Sequence, residues 1–600
     1  MKPDPTPSNR PLVASHRGVE IAAYLALLTL VWGLSAGERG FYHDDGLHLA
    51  LVHHEADRLA GALRPIASPT RFLVAWPYAL ALATAWPALT LQMVDGAAML
   101  ALALAVRALA RRLLPGERRS AFVAGALVLV ATGDLLSVST VALHYRVAVL
   151  ACLGALLAAV AALEATARMA LAIRLLGVVL LLQASLWTIE VALPVILLAP
   201  PLLALSAPGA TRRRRALVGA LWYGSLLPFG AAFLSALLDR SGYLARTVPA
   251  LGLVDRARET ARLLLWDWTP WRWLRPLSTW YPPPPALLPP GFGAACGLLA
   301  AGLVVAAASR LPDAAGRQSP RATPRHQALT AGALVLLAIA AALPYAGIAP
   351  LGAYFRTQQV TRIVAALLLA LGMAALTRRI LRPALARRIL RPALARRLRR
   401  PALALALPAV FVLLGTWSAV RRQDELVGSW RRAQRELGSI LDEVPRLRRG
   451  ATLVLFHDGA PWLLATEAEY LAQSWFELLY DRRDGDQALV SWSPRRGSGC
   501  RATGAGLDCW REGQVPCDGR RPCSPRHLAD EQIVVLVFRP AEGRYRLAET
   551  LSEVLAHDET AVGAGYRPRA WIESAPESDL ARRLLSTPAA LGLWPPTAPR

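Results

Sequence analysis

The residues whose types and spacing can do chemistry begin at Phe41-Tyr42-His43-Asp44-Asp45-Gly46. Two adjacent carboxylates stand just past the first apolar run, where a hydrophobic helix should leave a bilayer. A carboxylate within hydrogen-bond reach of a hydroxyl can take its proton as that hydroxyl attacks an electrophile. Neighbouring carboxylates repel, which raises one pKa and makes a better base. Asp44 and Asp45 are therefore the candidate catalytic pair, one as base and the other orienting the acceptor, with a narrow preference for Asp45 as the base.

Other polar groups can serve the same place. His43, His48, His53 and His54 raise a metal question, because carboxylates and imidazoles together can hold a divalent ion. Their positions do not all share one helical face, so the expectation is no metal and no cofactor, with a divalent ion as the alternative. His43 and His48 are kept as substrate-binding candidates. Arg71, Arg356 and Arg362 stand at the edges of apolar runs. A guanidinium matches phosphate oxygens in a bidentate fork, so these three are candidates for an anionic group. Headgroup binding or snorkelling is the plainer use of any single one. Asp134, His144, Tyr145 and Arg146 border a turn that can line the same space. Glu190 sits in a break between apolar runs, where it serves either function or the backbone groups freed at Pro194.

The elements that must position these residues are membrane helices. The chain has 600 residues, 54% of them hydrophobic, and a formal net charge of +25. Nearly all the positive charge is arginine, in short clusters between apolar runs. That is the positive-inside pattern, so the charge reports orientation and no nucleic-acid partner is expected. A polar, basic start reads as cytoplasmic. A cleaved signal peptide is the lesser reading of Val19 to Ala36, since that core is long for one. Further spans follow at Val94–Leu113, Ala121–Ser137, Val147–Leu163, Leu175–Ile189, Val191–Leu205, Leu217–Leu237, Phe292–Ala308, Ala328–Ala346, Val360–Ala375 and Pro401–Val420. The total is about eleven crossings of roughly twenty residues each. Phe72 to Trp86, with Pro77, is expected to be buried or re-entrant beside the Val94 span rather than a separate crossing.

Two outer loops follow from this count, residues 37–70 and 239–291. In the first, Leu49, Val52, Ala56, Leu59 and Leu63 fall on one helical face, which predicts a short amphipathic helix lying along the membrane surface. The second holds Trp266, Trp268, Trp271, Trp273, Trp280 and Tyr281, then Pro282 to Pro285. This is either an aromatic anchor at headgroup depth or one wall of a groove for lipid or sugar. Residues Arg378 to Ala395 write one nine-residue unit twice, Arg-Arg-Ile-Leu-Arg-Pro-Ala-Leu-Ala. Two copies do not make a solenoid, and the segment reads as a basic loop on anionic lipid.

An odd number of crossings puts residues 421–600 outside the cytoplasm. Arg421 to Arg449 has helical spacing at Leu426, Trp430, Leu437 and Leu441. Thr452 to Phe456 and Ile533 to Phe538 read as buried strands, with a helix over Tyr470 to Tyr480 between them. A small α/β domain follows. His457-Asp458, after the first strand, reads as a loop start more readily than as a site. Cys152 and Cys296 lie in apolar runs and read as core. Cys500, Cys509, Cys517 and Cys523 crowd one polar segment without C-x-x-C spacing. Disulfides in an oxidising compartment fit better than zinc, with three connectivities open. The fold expectation is a polytopic α-helical membrane protein over residues 1–420 with a small C-terminal extracytoplasmic α/β domain over 421–600.

A cytoplasmic start, one span, then His43-Asp44-Asp45 in the first outer loop resembles the GT-C superfamily of membrane glycosyltransferases. The pattern is most similar to the bacterial branch with the lipid A aminoarabinose transferases and protein O-mannosyltransferases. The resemblance covers the first half as organisation and only His43-Asp44-Asp45 as motif. It implies an inverting enzyme in the bacterial inner membrane that takes a sugar from a polyprenyl-phosphate carrier. The acceptor would be a glycan, lipid or protein outside the cytoplasm. Arg71 begins the apolar stretch after the loop, similar to the place where the family keeps a basic residue. The chain departs from the family in having Asp-Asp rather than Asp-Glu, and Ser-Pro-Thr-Arg where some members have Lys-Pro-Pro. The rival functions are a lipid-linked-substrate transporter or flippase, and a non-catalytic membrane scaffold.

Overall fold

The computed structural model describes residues 10–41, 45–55, 57–65, 70–130, 140–207, 209–238, 252–267, 286–311, 323–343, 359–380, 400–456, 469–481, 490–492, 499–503, 506–510, 526–553 and 565–586. His43, Asp44, Arg356, His457-Asp458, Cys517, Cys523, the aromatic run from Trp268 to Tyr281 and all but the start of the nine-residue repeat lie outside these residues.

The chain is mostly helical. In order come α1 (Arg10–Val31), α2 (Asp45–His53), α3 (Arg58–Ala62), α4 (Trp76–Leu82), α5 (Pro87–Leu113), α6 (Arg118–Val130), α7 (Leu143–Leu163), α8 (Arg168–Thr188) and α9 (Leu193–Ser206). Among the described residues, eight helices are long and apolar enough to cross a membrane. They are α5, α7, α8, Arg212–Ala236, Phe292–Arg310, Pro324–Ala342, Gln359–Leu376 and Leu405–Glu443. α1, α6 and α9 are the other expected crossings, and α6 and α9 have 13 and 14 residues. Apolar side chains also face outward. Met169, Ile173, Leu176 and Leu180 form an exposed stripe along α8, a surface that suits lipid and would be costly in water.

The stretch from Arg71 to Leu114 forms one short helix and one long one. Pro87 opens α5 at a first-turn position, where its missing N–H costs nothing. α4 is a separate seven-residue helix whose Pro77, Tyr78 and Ala81 are buried. The expected amphipathic helix of the first loop is broken instead. α2 ends at His53, α3 starts after an Asp57 cap, and Asp57 accepts from Leu59 N. Leu49 and Val52 are buried within the protein, whereas Leu59 and Leu63 are exposed. The single apolar face is thus divided between two helices.

One end of the bundle is rich in arginine. Buried Glu20 on α1 pairs with Arg107 and Arg111 on α5. Arg112 pairs with Glu164 after α7, and Arg119 donates to Leu311 O. The opposite end carries the start of α5, the start of α7 and α2.

The last span does not stop at Val420. Arg400–Glu443 is one helix of 44 residues, about 66 Å long at 1.5 Å per residue. That is about twice the hydrocarbon thickness of a bilayer. Its second half buries Leu426, Trp430, Leu437 and Leu441, the positions that the helical spacing predicts. Its first half meets Phe292–Arg310 at close range. A Cβ added to Gly297 would stand 2.6 Å from Leu413 O, so only glycine permits this approach.

The tail is α/β. A four-stranded sheet runs in the order β3 (Val490–Trp492), β2 (Thr452–Phe456), β7 (Ile533–Arg539), β8 (Arg544–Leu547). The first three strands are parallel and β8 is antiparallel. The helix Glu469–Leu479 lies between β2 and β3 in the chain. A second sheet pairs β4 (Gly499–Thr503) with β5 (Gly506–Trp510), setting Cys500 in register opposite Cys509. Cys152 and Cys296 are free and buried, and no disulfide is found among the described side chains, which do not include those of Cys500 and Cys509. The tail is not a separate body. Phe41, Leu49, Tyr78 and Leu91 share one apolar core with Trp430, Leu437, Leu453, Trp475 and Leu536.

Gly297→Ala should destabilise the protein by about 1–3 kcal/mol through overpacking, read as a lower unfolding midpoint in detergent. Gly302→Ala on the same helix, where a Cβ meets nothing within 4 Å, should leave the midpoint unchanged. Equal midpoints for both variants would contradict the close helix contact.

Candidate functional site

Asp45 opens α2 and is fully buried. A carboxylate at a helix N-terminus meets the positive end of the backbone dipole. Burial still requires hydrogen-bond donors, and two other elements supply them. Tyr78 of α4 donates its hydroxyl to Asp45 Oδ1 at 2.9 Å. Thr140, in the single turn Thr140–Ala142 ahead of α7, donates to Oδ2 at 2.6 Å. One carboxylate therefore joins three elements that are distant in sequence. His48, one turn along α2, lies edge-on to Tyr78 with ring centres 4.8 Å apart. His144 stands 6.1 Å from His48 across the same space, with Tyr145 4.4 Å beyond. Two imidazoles, a phenol and a carboxylate thus gather at one end of the bundle.

The segment that ends at Phe41 is fixed as firmly. Ser35 donates its N–H and hydroxyl to Gln423 Oε1 at 3.0 and 2.9 Å. Gly37 N–H donates to Gln92 Oε1 at 3.0 Å, and Gln92 donates back to Arg39 O. Arg431 of the long helix pairs with Glu38 at 2.8 Å. Arg39 donates to Trp32 O at 2.8 Å and lies over the Trp32 ring at 3.9 Å. Burial pushes the Arg39 guanidinium down to about 9, Asp95 opposing and Arg146 adding to that shift. Arg146 itself pairs with Asp95 in the interior. The chain on either side of His43 and Asp44 is therefore anchored by the helix bundle.

The tail completes the enclosure. Phe41 packs between Trp430 and Trp475, 5.7 Å from each ring. Gly40 lies against Trp430, and a Cβ on Gly46 would stand 2.6 Å from Trp475 Nε1. Glycine at both positions lets the indoles reach the backbone on each side of the acidic pair. Both indole N–H groups are buried without a hydrogen-bond partner among the described residues.

The arginine candidates separate. Arg71 pairs with Glu190, its Nε donating to Oε2 at 3.0 Å. Glu190 therefore serves Arg71 rather than the backbone near Pro194. Leu73 N–H donates to Trp187 O at 3.1 Å and holds that end of the chain against α8. Arg362, on the helix Gln359–Ile380, is buried near Arg422, whose Nη1 lies 3.9 Å from Glu425 Oε2. Gln423, the neighbour of Arg422, is the residue that binds Ser35. Arg362 is thus tied to the approach to the acidic pair through the long helix. Among the described residues no three His, Cys, Asp or Glu side chains gather as a cation site.

Sequence reasoning singled out Asp45, His48 and His144 but missed Tyr78, Thr140, Trp430 and Trp475 as their neighbours. Tyr78 and Thr140 stand in short segments with no periodic pattern to mark their direction. No family model, no curated protein and no solved structure matches this chain.

Tyr78→Phe removes one donor from a buried carboxylate. The expected loss is about 1–3 kcal/mol of stability, measured by denaturant or thermal unfolding of the solubilised protein. A variant as stable as the parent would show that Asp45 does not depend on this hydroxyl.

Proposed function

We propose that the chain is a membrane-embedded glycosyltransferase that moves a sugar from a polyprenyl-phosphate carrier to an extracytoplasmic acceptor. The observation that carries this reading is the anchored Asp45, with His48, His144 and Tyr78 gathered beside it at the bundle end opposite the arginine-rich one. By the positive-inside rule the arginine-rich end is cytoplasmic. With about eleven crossings, the N-terminus is then cytoplasmic and the tail extracytoplasmic, as in a bacterial inner membrane. Cys500 and Cys509 can form a disulfide there, where the environment is oxidising.

In this reading the two aspartates divide their roles. Asp45 already accepts two hydroxyl hydrogens, which suits it to positioning. The base role therefore passes to Asp44, in place of the narrow sequence preference for Asp45, whose two oxygens are taken by Tyr78 and Thr140. An acceptor hydroxyl oxygen attacks the anomeric carbon, its proton passes to Asp44, and the bond from that carbon to the carrier phosphate breaks. The leaving group is polyprenyl phosphate. A single displacement inverts the anomeric centre. Arg362 and Arg422 lie near each other in the interior, with Glu425 3.9 Å from Arg422, and their guanidinium groups match phosphate oxygens in shape and charge. Arg71 is held by Glu190 and is assigned no phosphate contact. His43 and His48 are assigned to sugar or acceptor hydroxyls. No cofactor is required by this scheme.

Transfer of labelled sugar from a polyprenyl-phosphate donor by purified protein tests the reading. Asp44→Asn should lower the rate about 10²- to 10⁴-fold, the usual contribution of a general base, at unchanged membrane abundance. Asp45→Asn should lower both rate and stability. Asp44→Asn with undiminished transfer would contradict the assignment. Absence of transfer by the parent from any such donor favours a scaffold, in which Asp45 and its two donors serve folding alone.

A further inference from the structure

Several arginines at the arginine-rich end of the bundle are engaged singly. Arg112 pairs with Glu164, and Arg119 donates to Leu311 O. Arg174 and Arg214 donate to Ala161 O and Leu163 O, at the end of α7. Arg107 and Arg111, near the end of α5, instead share one acid. Arg107 pairs with Glu20 of α1, and Arg111 Nη2 lies 3.5 Å from Glu20 Oε1. Glu20 is only 2% exposed. That acid and the negative end of the α5 backbone dipole account for these two cations.

They do not account for the two cations beside them. Arg17 of α1 and Arg118, the first residue of α6, stand close enough for their charges to act on both Arg107 and Arg111. Arg17 and Arg118 are exposed, and among the described residues neither makes a hydrogen bond or an ion pair. Arg118 also stands at the positive end of the α6 dipole, where a cation is disfavoured. The tight turn through Gly116, φ 85°, brings the end of α5 and the start of α6 side by side. Glycine suits that backbone. Glu117, just ahead of α6, is the other carboxylate close in the chain. Counted with Glu20, it still leaves four guanidinium groups against two carboxylates. The Nε atoms of Arg107 and Arg111 are buried and have no acceptor among the described residues.

We propose that Arg17, Arg107, Arg111 and Arg118 form a phosphate-binding site where α1, α5 and α6 meet. Guanidinium forks match phosphate oxygens in shape and charge. The phosphate comes from an anionic phospholipid headgroup or from free phosphate. By the positive-inside rule this end is cytoplasmic, and basic pockets between membrane helices on that side hold anionic headgroups. A bound phosphate accepts from the two exposed guanidinium groups and from N–H groups that Glu20 leaves over on Arg107 and Arg111. It ties the start of α1 to the turn between α5 and α6. This inference rests on the arginine cluster and is independent of the transferase reading.

Thermal unfolding of the full chain in neutral detergent tests it. The protein is titrated at constant ionic strength with dioctanoyl phosphatidylglycerol, dioctanoyl phosphatidylcholine or inorganic phosphate. Phosphatidylglycerol or inorganic phosphate should raise the midpoint saturably, and phosphatidylcholine should not. Arg17→Gln with Arg118→Gln, at two exposed positions, should weaken the apparent affinity about tenfold or more, the scale of two arginines on an anionic group. Arg212→Gln with Arg213→Gln, exposed beside Arg214 at the same end, should leave it unchanged. A response to inorganic phosphate at similar concentration assigns the site to free phosphate, and a response to the lipid alone assigns it to a headgroup. No saturable response to either, or an equal loss in both double variants, would overturn the site. Asp44→Asn should keep the full response, so a failure of sugar transfer leaves this result readable.

Discussion

A carboxylate taken into a protein interior must be met by donors, and that requirement organises the end of this bundle. Asp45 is buried at the first turn of α2, and the hydroxyls that satisfy it come from α4 and from the turn before α7. Neither donor is local. The contact therefore fixes α2 against two segments that the chain reaches only 33 and 95 residues later. His48 and His144 then face each other because their elements are already held. The geometry of the candidate site follows from satisfying one buried acid.

The second constraint is the continuity of the long helix Arg400–Glu443. A helix of this length carries one set of side chains from the apolar bundle into the tail core. Gln423 grips Ser35, Asp424 accepts from Leu287 N–H and Leu288 N–H, and Arg431 grips Glu38. Trp430 then meets Phe41 and Trp475. The chain from Gly37 to Phe41 is consequently gripped from two sides, by the bundle through Gln92 and by the tail through the indoles. Bundle and tail share one apolar core at this place, so the tail is a structural part of the candidate site.

Much of this was legible in the sequence where one period dominates. Leu426, Trp430, Leu437 and Leu441 mark the buried face of the long helix. Short apolar runs mark β2 and β7, and the helix over Glu469–Leu479 lies within a residue of the Tyr470–Tyr480 expectation. The limits of periodicity are equally clear. Arg421 and Arg422 read as the end of a span, because charge is costly in lipid. The backbone nevertheless continues as helix, since the charged residues after Val420 are good helix formers and their apolar face has the tail to pack against. The apolar spacing from Leu49 to Leu63 reads as one helix. It divides because Leu49 and Val52 find a protein core whereas Leu59 and Leu63 do not. Asp45 was legible by type and position. Its donors were not, because a lone tyrosine beside Pro77 and a lone threonine in a short turn acquire their direction only from tertiary packing.

The proposed place for a carrier phosphate and its sugar is the acidic loop. The most direct test of this placement is photo-crosslinking of the membrane-embedded protein with a polyprenyl-phosphate analogue that bears its reactive group beside the phosphate, followed by peptide mapping. The account predicts adducts in the peptides that contain Phe41–His53 and Arg362 or Arg422, displaced by excess unlabelled polyprenyl phosphate. Adducts confined to other parts of the chain, or insensitive to that competitor, would contradict it.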